Sequence, residues 1–164
     1  MKKVLFLLAF AFTCQLSAQE YKNHYGVGLA LGEPSGFSVK KFNSNTQAFQ
    51  YTLGYSTASG AQGINLGMDY LMHNYHMITA DKGSIPVYWG LGAHFKSYTG
   101  GNVLYARVPL GVAYEFNDLP ADIFFEFAPG ISVLPSPVLV TNFAIGGRFY
   151  FDFKQAAREI ENAL

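Results

Sequence analysis

The chain has little cysteine, little charge and no long apolar run beyond its start, and each shortage excludes something. Its single cysteine, Cys14, lies in an amino-terminal stretch that reads as an export signal. Everything after that stretch is therefore without thiol, disulfide or cysteine-based metal site. As a lipid acceptor Cys14 is poorly placed, because Phe12-Thr13 before it do not match the small residues of a lipobox. Charged residues make up 13% of the chain, about half the usual share. Lys and Arg together number 11, as do Asp and Glu. This balance gives no basic surface for nucleic acid and no acidic one either. Past the signal no apolar run reaches the roughly 20 residues that a membrane helix needs. If such a chain crosses a membrane, it crosses as a closed barrel, because only closure pairs every backbone group.

What is present points the same way. Aromatics reach 16% and there are 17 glycines. A domain so poor in charge either hides much of its surface or faces something other than water. Met1-Lys2-Lys3 is basic, Val4 to Phe12 is apolar, and Leu16-Ser17-Ala18 is a small-residue cleavage signal. Residues 1–18 are thus expected to be a cleaved signal peptide, 19–153 a barrel, and 154–164 a periplasmic tail. In that tail Ala156, Ala157, Ile160, Ala163 and Leu164 have helical spacing, so it reads as a short amphipathic helix or a frayed end.

Period-two alternation organises the rest. Tyr25, Val27, Leu29 and Leu31 alternate with glycines and Ala30, and Glu33 to Gly36 is a turn. Phe37 to Phe42, Phe49 to Tyr55, Ile64 to Met72 and Val87 to Phe95 repeat the pattern. Ser97 to Asn102 reads as a loop, and His73 to Ser84 is the least regular segment. Arg107 to Pro135 reads as two strands about the turn Asn117 to Pro120, and Asn142 to Phe153 as the last strand. The count is eight, and the fold class is an all-β, antiparallel, up-and-down transmembrane barrel with a short tail.

The face opposite the apolar one decides which solvent each meets. On a soluble barrel it would be rich in Lys, Glu, Thr and Ser; here it is mostly Gly and Ala with scattered charges and tyrosines. Small residues around bulky polar ones suit the inside of a narrow barrel. The apolar face carries aromatics toward the strand ends (Tyr55, Tyr70, Tyr114, Phe116, Phe149, Phe151), as at a membrane interface. The inward charges are then Lys40, Arg107 and Arg148 against Asp69, Glu115, Glu126 and Asp152. Buried charges need partners, so Lys40, Asp69, Arg107, Glu115, Glu126 and Arg148 are expected to form a structural cluster filling the lumen.

Some of these residues and the histidines also admit reactive readings. Glu115 and Glu126 are candidates for an acid/base pair, His73 and His76 for a metal edge, and His94 with Ser97 for a hydrolase pair. The histidine readings lack the partners their chemistry requires, and two carboxylates on neighbouring strands with arginines on the same face are more often structural, so no catalytic, cofactor or metal residue is assigned. Gly-x-Gly patterns alternate along strands and open no helix, so they are not phosphate loops.

With the strands placed, four stretches carry a resemblance: GVGLALGEPSGFSVKKF at 26–42, RVPLGVAYEF at 107–116, DIFFEFAP at 122–129 and IGGRFYF at 145–151. Together they resemble small eight-stranded, OmpA-like outer-membrane barrels, mostly of unassigned function. The resemblance implies location in the outer membrane of a Gram-negative bacterium. It implies contact with outer-membrane lipid and lipopolysaccharide, and with the barrel-insertion machinery during biogenesis. Such barrels commonly end at a terminal aromatic read by that machinery, whereas here Phe151 and Phe153 precede a tail. The expected function is a monomeric, non-enzymatic barrel with a structural, envelope-integrity or surface-interaction role and a non-conducting lumen. The alternatives are an outer-membrane enzyme acting on lipid A or acyl chains, and a secreted lipocalin-like carrier with the two faces exchanged.

Overall fold

The computed structural model describes residues 25–57, 62–80 and 82–152. The expected signal peptide at 1–18, Cys14, and the tail at 154–164 lie outside them. The described chain forms β1 (Tyr25–Glu33), β2 (Ser35–Phe42), β3 (Gln47–Ser56), β4 (Gly63–Asn74), β5 (Val87–Tyr98), β6 (Gly101–Arg107), β7 (Leu110–Glu115), β8 (Ala121–Leu134) and β9 (Leu139–Phe151). Each strand from β1 to β5 pairs antiparallel with the next. β9 pairs with both β8 and β1, which closes the ring.

Between β5 and β8 one place is shared by two strands. β6 lies between Gly92–Tyr98 of β5 and Gly130–Leu134 of β8, and β7 lies between Val87–Trp89 and Asp122–Phe127. The break falls at Val108-Pro109, where proline has no N–H to give to a ladder. Pairing nonetheless runs through it: the Val108 N–H donates to the Pro129 carbonyl at 2.8 Å, and the Gly90 N–H to the Pro109 carbonyl at 3.0 Å. Nine strands among the described residues therefore make eight staves, the number read from alternation.

Boundaries differ from the sequence reading in several places: the turn expected over 33–36 shrinks to Pro34, and the last strand runs Leu139–Phe151 in place of 142–153. The sixth stave starts at Gly101, not Arg107, so the loop expected over 97–102 shrinks to Thr99-Gly100. Gly101 has φ 142° there, a conformation that side chains disfavour, and the chain reverses at once. His73 and Asn74 prolong β4, which leaves Tyr75 to Pro86 as the connection. Its final part is paired: Ser84 exchanges backbone hydrogen bonds with Glu115, and the Ala113 N–H donates to the Pro86 carbonyl. The strands on this side are longer than alternation indicated.

Exposure settles the faces. Leu31, Leu91 and Ile145 are 66%, 70% and 60% exposed, whereas Lys40 and Arg148 are 0% and 1% exposed. Polar inside and aliphatic outside is the inverse of a water-soluble barrel, and an apolar band around the whole circumference is the surface of a membrane-spanning one. A lipocalin-like carrier needs the faces exchanged, and they are not.

Met68, outward in mid-β4, gives a direct check. Met68→Arg should lower stability in lipid vesicles by about 2–4 kcal/mol, as expected for a cation near the bilayer midplane. Gln62→Arg, at an exposed position beyond the strand ends, should stay within about 0.5 kcal/mol. Urea unfolding from vesicles reads both, and equal costs would refute the assignment of the outer face.

Candidate functional site

The lumen holds a connected set of polar side chains, and strand register explains how they meet. Asp69, Gly92, Arg107 and Gly130 lie side by side on β4, β5, β6 and β8. Next-nearest staves are roughly 10 Å apart, a gap that only long side chains can close, and only if the residue between them is small. Arg107 reaches over Gly92 to Asp69: Nε donates to Oδ1 at 2.8 Å and Nη2 to Oδ2 at 2.5 Å. Nη2 also donates to Glu126 at 2.9 Å. A Cβ on Gly92 would overlap the Asp69 carboxylate. The same arrangement recurs where the Tyr88 hydroxyl donates to Glu126 across Gly111, at 3.2 Å. A Cβ on Gly111 would strike the Tyr88 ring. The inward glycines are thus the floor over which the charged groups pass.

A second centre forms around Arg148. Its Nε donates to Asp122 at 3.1 Å, its Nη1 donates to the Gln50 carbonyl oxygen at 2.6 Å, and its guanidinium lies 3.9 Å over the Phe124 ring. The Tyr150 hydroxyl donates to the other Asp122 oxygen at 2.6 Å. Lys40 sits 3.9 Å from Asp122, 3.1 Å from His73 Nε2 and 4.8 Å over the Tyr88 ring. Gln50 joins the two centres, since its amide nitrogen donates to Glu126 at 3.0 Å while its oxygen takes the Arg148 bond. His94 extends the first centre, lying 2.9 Å from Asn65 and 3.3 Å from Asp69; Asn65 in turn donates to the Tyr105 hydroxyl at 2.8 Å.

Of the six residues expected to cluster, Lys40, Asp69, Arg107, Glu126 and Arg148 are brought together. Glu115 is buried with them but stands at the edge, accepting from the Tyr75 hydroxyl at 3.2 Å and in no ion pair among the described residues. Asp152, expected inward, lies half-buried just past the end of β9. The buried acid that engages Arg148 is Asp122, which is not among the inward charges expected from the sequence. Alternation had the signal, since Asp122, Phe124 and Glu126 share a face. The hydroxyls of Tyr88, Tyr105 and Tyr150, the amides of Gln50 and Asn65, and His94 complete the set.

The reactive alternatives are separated by the same geometry. Glu115 is opposite Asp122 and Gly111 is opposite Glu126, so the two glutamates stand about 13 Å apart along the barrel. His94 is buried while Ser97, three residues on, is exposed; odd spacing in a strand puts two side chains on opposite faces. His73 points inward and His76 is exposed on the connecting segment. Among the described residues no group of His, Cys, Asp or Glu could hold a metal ion.

The fold and its lumen define the class: a closed, eight-stave antiparallel transmembrane barrel with a polar, ion-paired interior. The chain is similar in structure to the N-terminal beta-barrel domain of Pseudomonas aeruginosa OprF, with a TM-score of 0.60 and 14% identity over 81% of this chain and 100% of that one. At that identity the likeness is one of fold. Comparison with protein-family models and with curated proteins gave no match.

The network makes a stability prediction. Arg107→Ala leaves Asp69 and Glu126 buried without their cation and should cost about 3–5 kcal/mol. Gly92→Val, which displaces the Asp69 carboxylate, should also destabilise. Gln50→Leu should make the Arg107→Ala and Arg148→Ala effects additive where they are coupled in the wild type. A double-mutant cycle by urea unfolding checks this; additivity already present in the wild type would refute the single network.

Proposed function

We propose that this chain is an outer-membrane barrel of a Gram-negative bacterium with a structural, envelope-integrity or surface-interaction role, and that its lumen is filled and does not conduct. The observation that carries the reading is the two-faced wall: an apolar exterior suited to lipid around an interior occupied by mutually bonded side chains. The likeness to the OprF barrel domain supports the fold part of this reading. On this view residues 1–18 direct export and the barrel acts as a monomer. It meets outer-membrane lipid and lipopolysaccharide, and engages the barrel-insertion machinery during biogenesis. The role is non-enzymatic. In support, Asp69, Asp122 and Glu126 are each held by a cation, which leaves them ill placed to exchange protons with a substrate.

Recovery only with detergent, and no stable large conductance in planar-bilayer recordings, are the expected outcomes. Steady channels of porin size would refute the filled lumen, and recovery in a salt-washed aqueous fraction would refute the membrane assignment. A lipid A mass spectrum altered by deletion of the protein would refute the non-enzymatic role.

A further inference from the structure

The outward face carries one cation among the described strand residues, Lys41, and it stands in a row that is otherwise aromatic. Register places Phe151, Tyr25, Lys41, Phe49 and Tyr70 in one row across β9, β1, β2, β3 and β4. The row lies near the barrel end that holds the first residue of β1 and the last of β9. Lys41 Nζ stands 5.5 Å over the Tyr25 ring, and the Phe49 and Tyr70 rings are 5.3 Å apart. The next outward row toward the middle of the wall, Phe149, Val27, Val39, Tyr51 and Met68, mixes aromatic and aliphatic side chains and holds no charge. At the other barrel end the outward strand positions Leu31, Tyr55, Ile64, Asn102 and Leu139 include no cation. The lumenal cations each have a hydrogen-bonding partner inside the barrel, whereas Lys41 has no ion pair among the described residues.

We propose that Lys41, flanked by Tyr25 and Phe49, binds the phosphate of a phospholipid headgroup in the leaflet at this end of the barrel. The inference rests on the membrane reading above and adds a site and a ligand to it. An ammonium facing acyl chains is costly, so a lysine held outward belongs at the level where chains give way to headgroups. Amphipathic rings gather at that level too. Over an aromatic face the ammonium is held at one height, and it is a compact point charge suited to a phosphate oxygen. The rings on either side supply the apolar surface against which the glycerol and upper acyl chain of the same lipid can lie. A free phosphate would use only the charge. A lipid uses the charge and the row together.

Native mass spectrometry of the detergent-folded protein, titrated with phosphatidylglycerol, tests this. Lys41→Met should weaken the first lipid adduct by about fivefold, the size expected for one basic residue at a membrane surface. Lys41→Arg should retain it, and Lys96→Met, at the lumenal mouth, should leave it unchanged. Uncharged diacylglycerol should not form the adduct, and inorganic phosphate at matched concentration should not displace phosphatidylglycerol. Equal adducts in wild type and Lys41→Met, or displacement by inorganic phosphate, would overturn the site while leaving the membrane reading intact. A wild type that stays folded in water without detergent would instead overturn both.

Discussion

A charge inside a protein is stable only when another charge or dipole answers it nearby, and the interior of this barrel is arranged to meet that requirement. Arg107 and Arg148 each engage a carboxylate through Nε, and each extends a second arm to another element. Lys40 has an acid, a histidine nitrogen and a ring face around it. These contacts tie together strands far apart in sequence, since β2, β3, β4, β6, β8 and β9 all contribute. Beside small buried apolar clusters about Leu71, Phe124 and Phe42, the polar network takes much of the place of the hydrophobic core that a soluble fold of this size would use, and most aliphatic residues face the outer wall.

Closure and filling depend on each other. The ring of backbone pairing removes sheet edges, which a membrane would not tolerate. A ring of eight staves leaves an interior only as wide as a layer of side chains. Long polar groups can share that width only if their neighbours are small. Pro109 shows how much local irregularity the ring absorbs. The stave breaks beside Arg107, yet carbonyls and N–H groups on both sides of the break still find partners in β5 and β8.

Much of this was legible in the sequence, for a physical reason. A strand alternates its side chains strictly, so inner and outer faces separate without knowledge of any partner strand, and the stave count follows. Five of the six charges expected to cluster take part in one network on that basis alone. Pairing was not legible. Arg148 meets Gln50 and Arg107 meets Asp69 because of register around a closed ring, and register depends on the offsets of every hairpin between them. Asp122 was missed although it alternates in step with Glu126, and the inward tyrosines were legible while the bonds of their hydroxyls, which depend on register, were not. The irregular 73–84 segment stayed opaque because part of it pairs with β7 in a pattern interrupted by Pro86.

The register also explains why glycine and charge occur together on the inner face. Alternating glycines in the sequence would ordinarily argue against a strand, since glycine has no side chain to pack and loses most entropy on ordering. Here each of two key glycines lies between members of an interacting pair, Gly92 between Asp69 and Arg107 and Gly111 between Tyr88 and Glu126. The backbone cost is offset by contacts that a side chain at that place would block. A glycine of this kind therefore belongs to the ion pair that crosses it as much as the charged residues do. An aliphatic residue there would fill volume but leave two polar groups buried apart, which is the more expensive outcome.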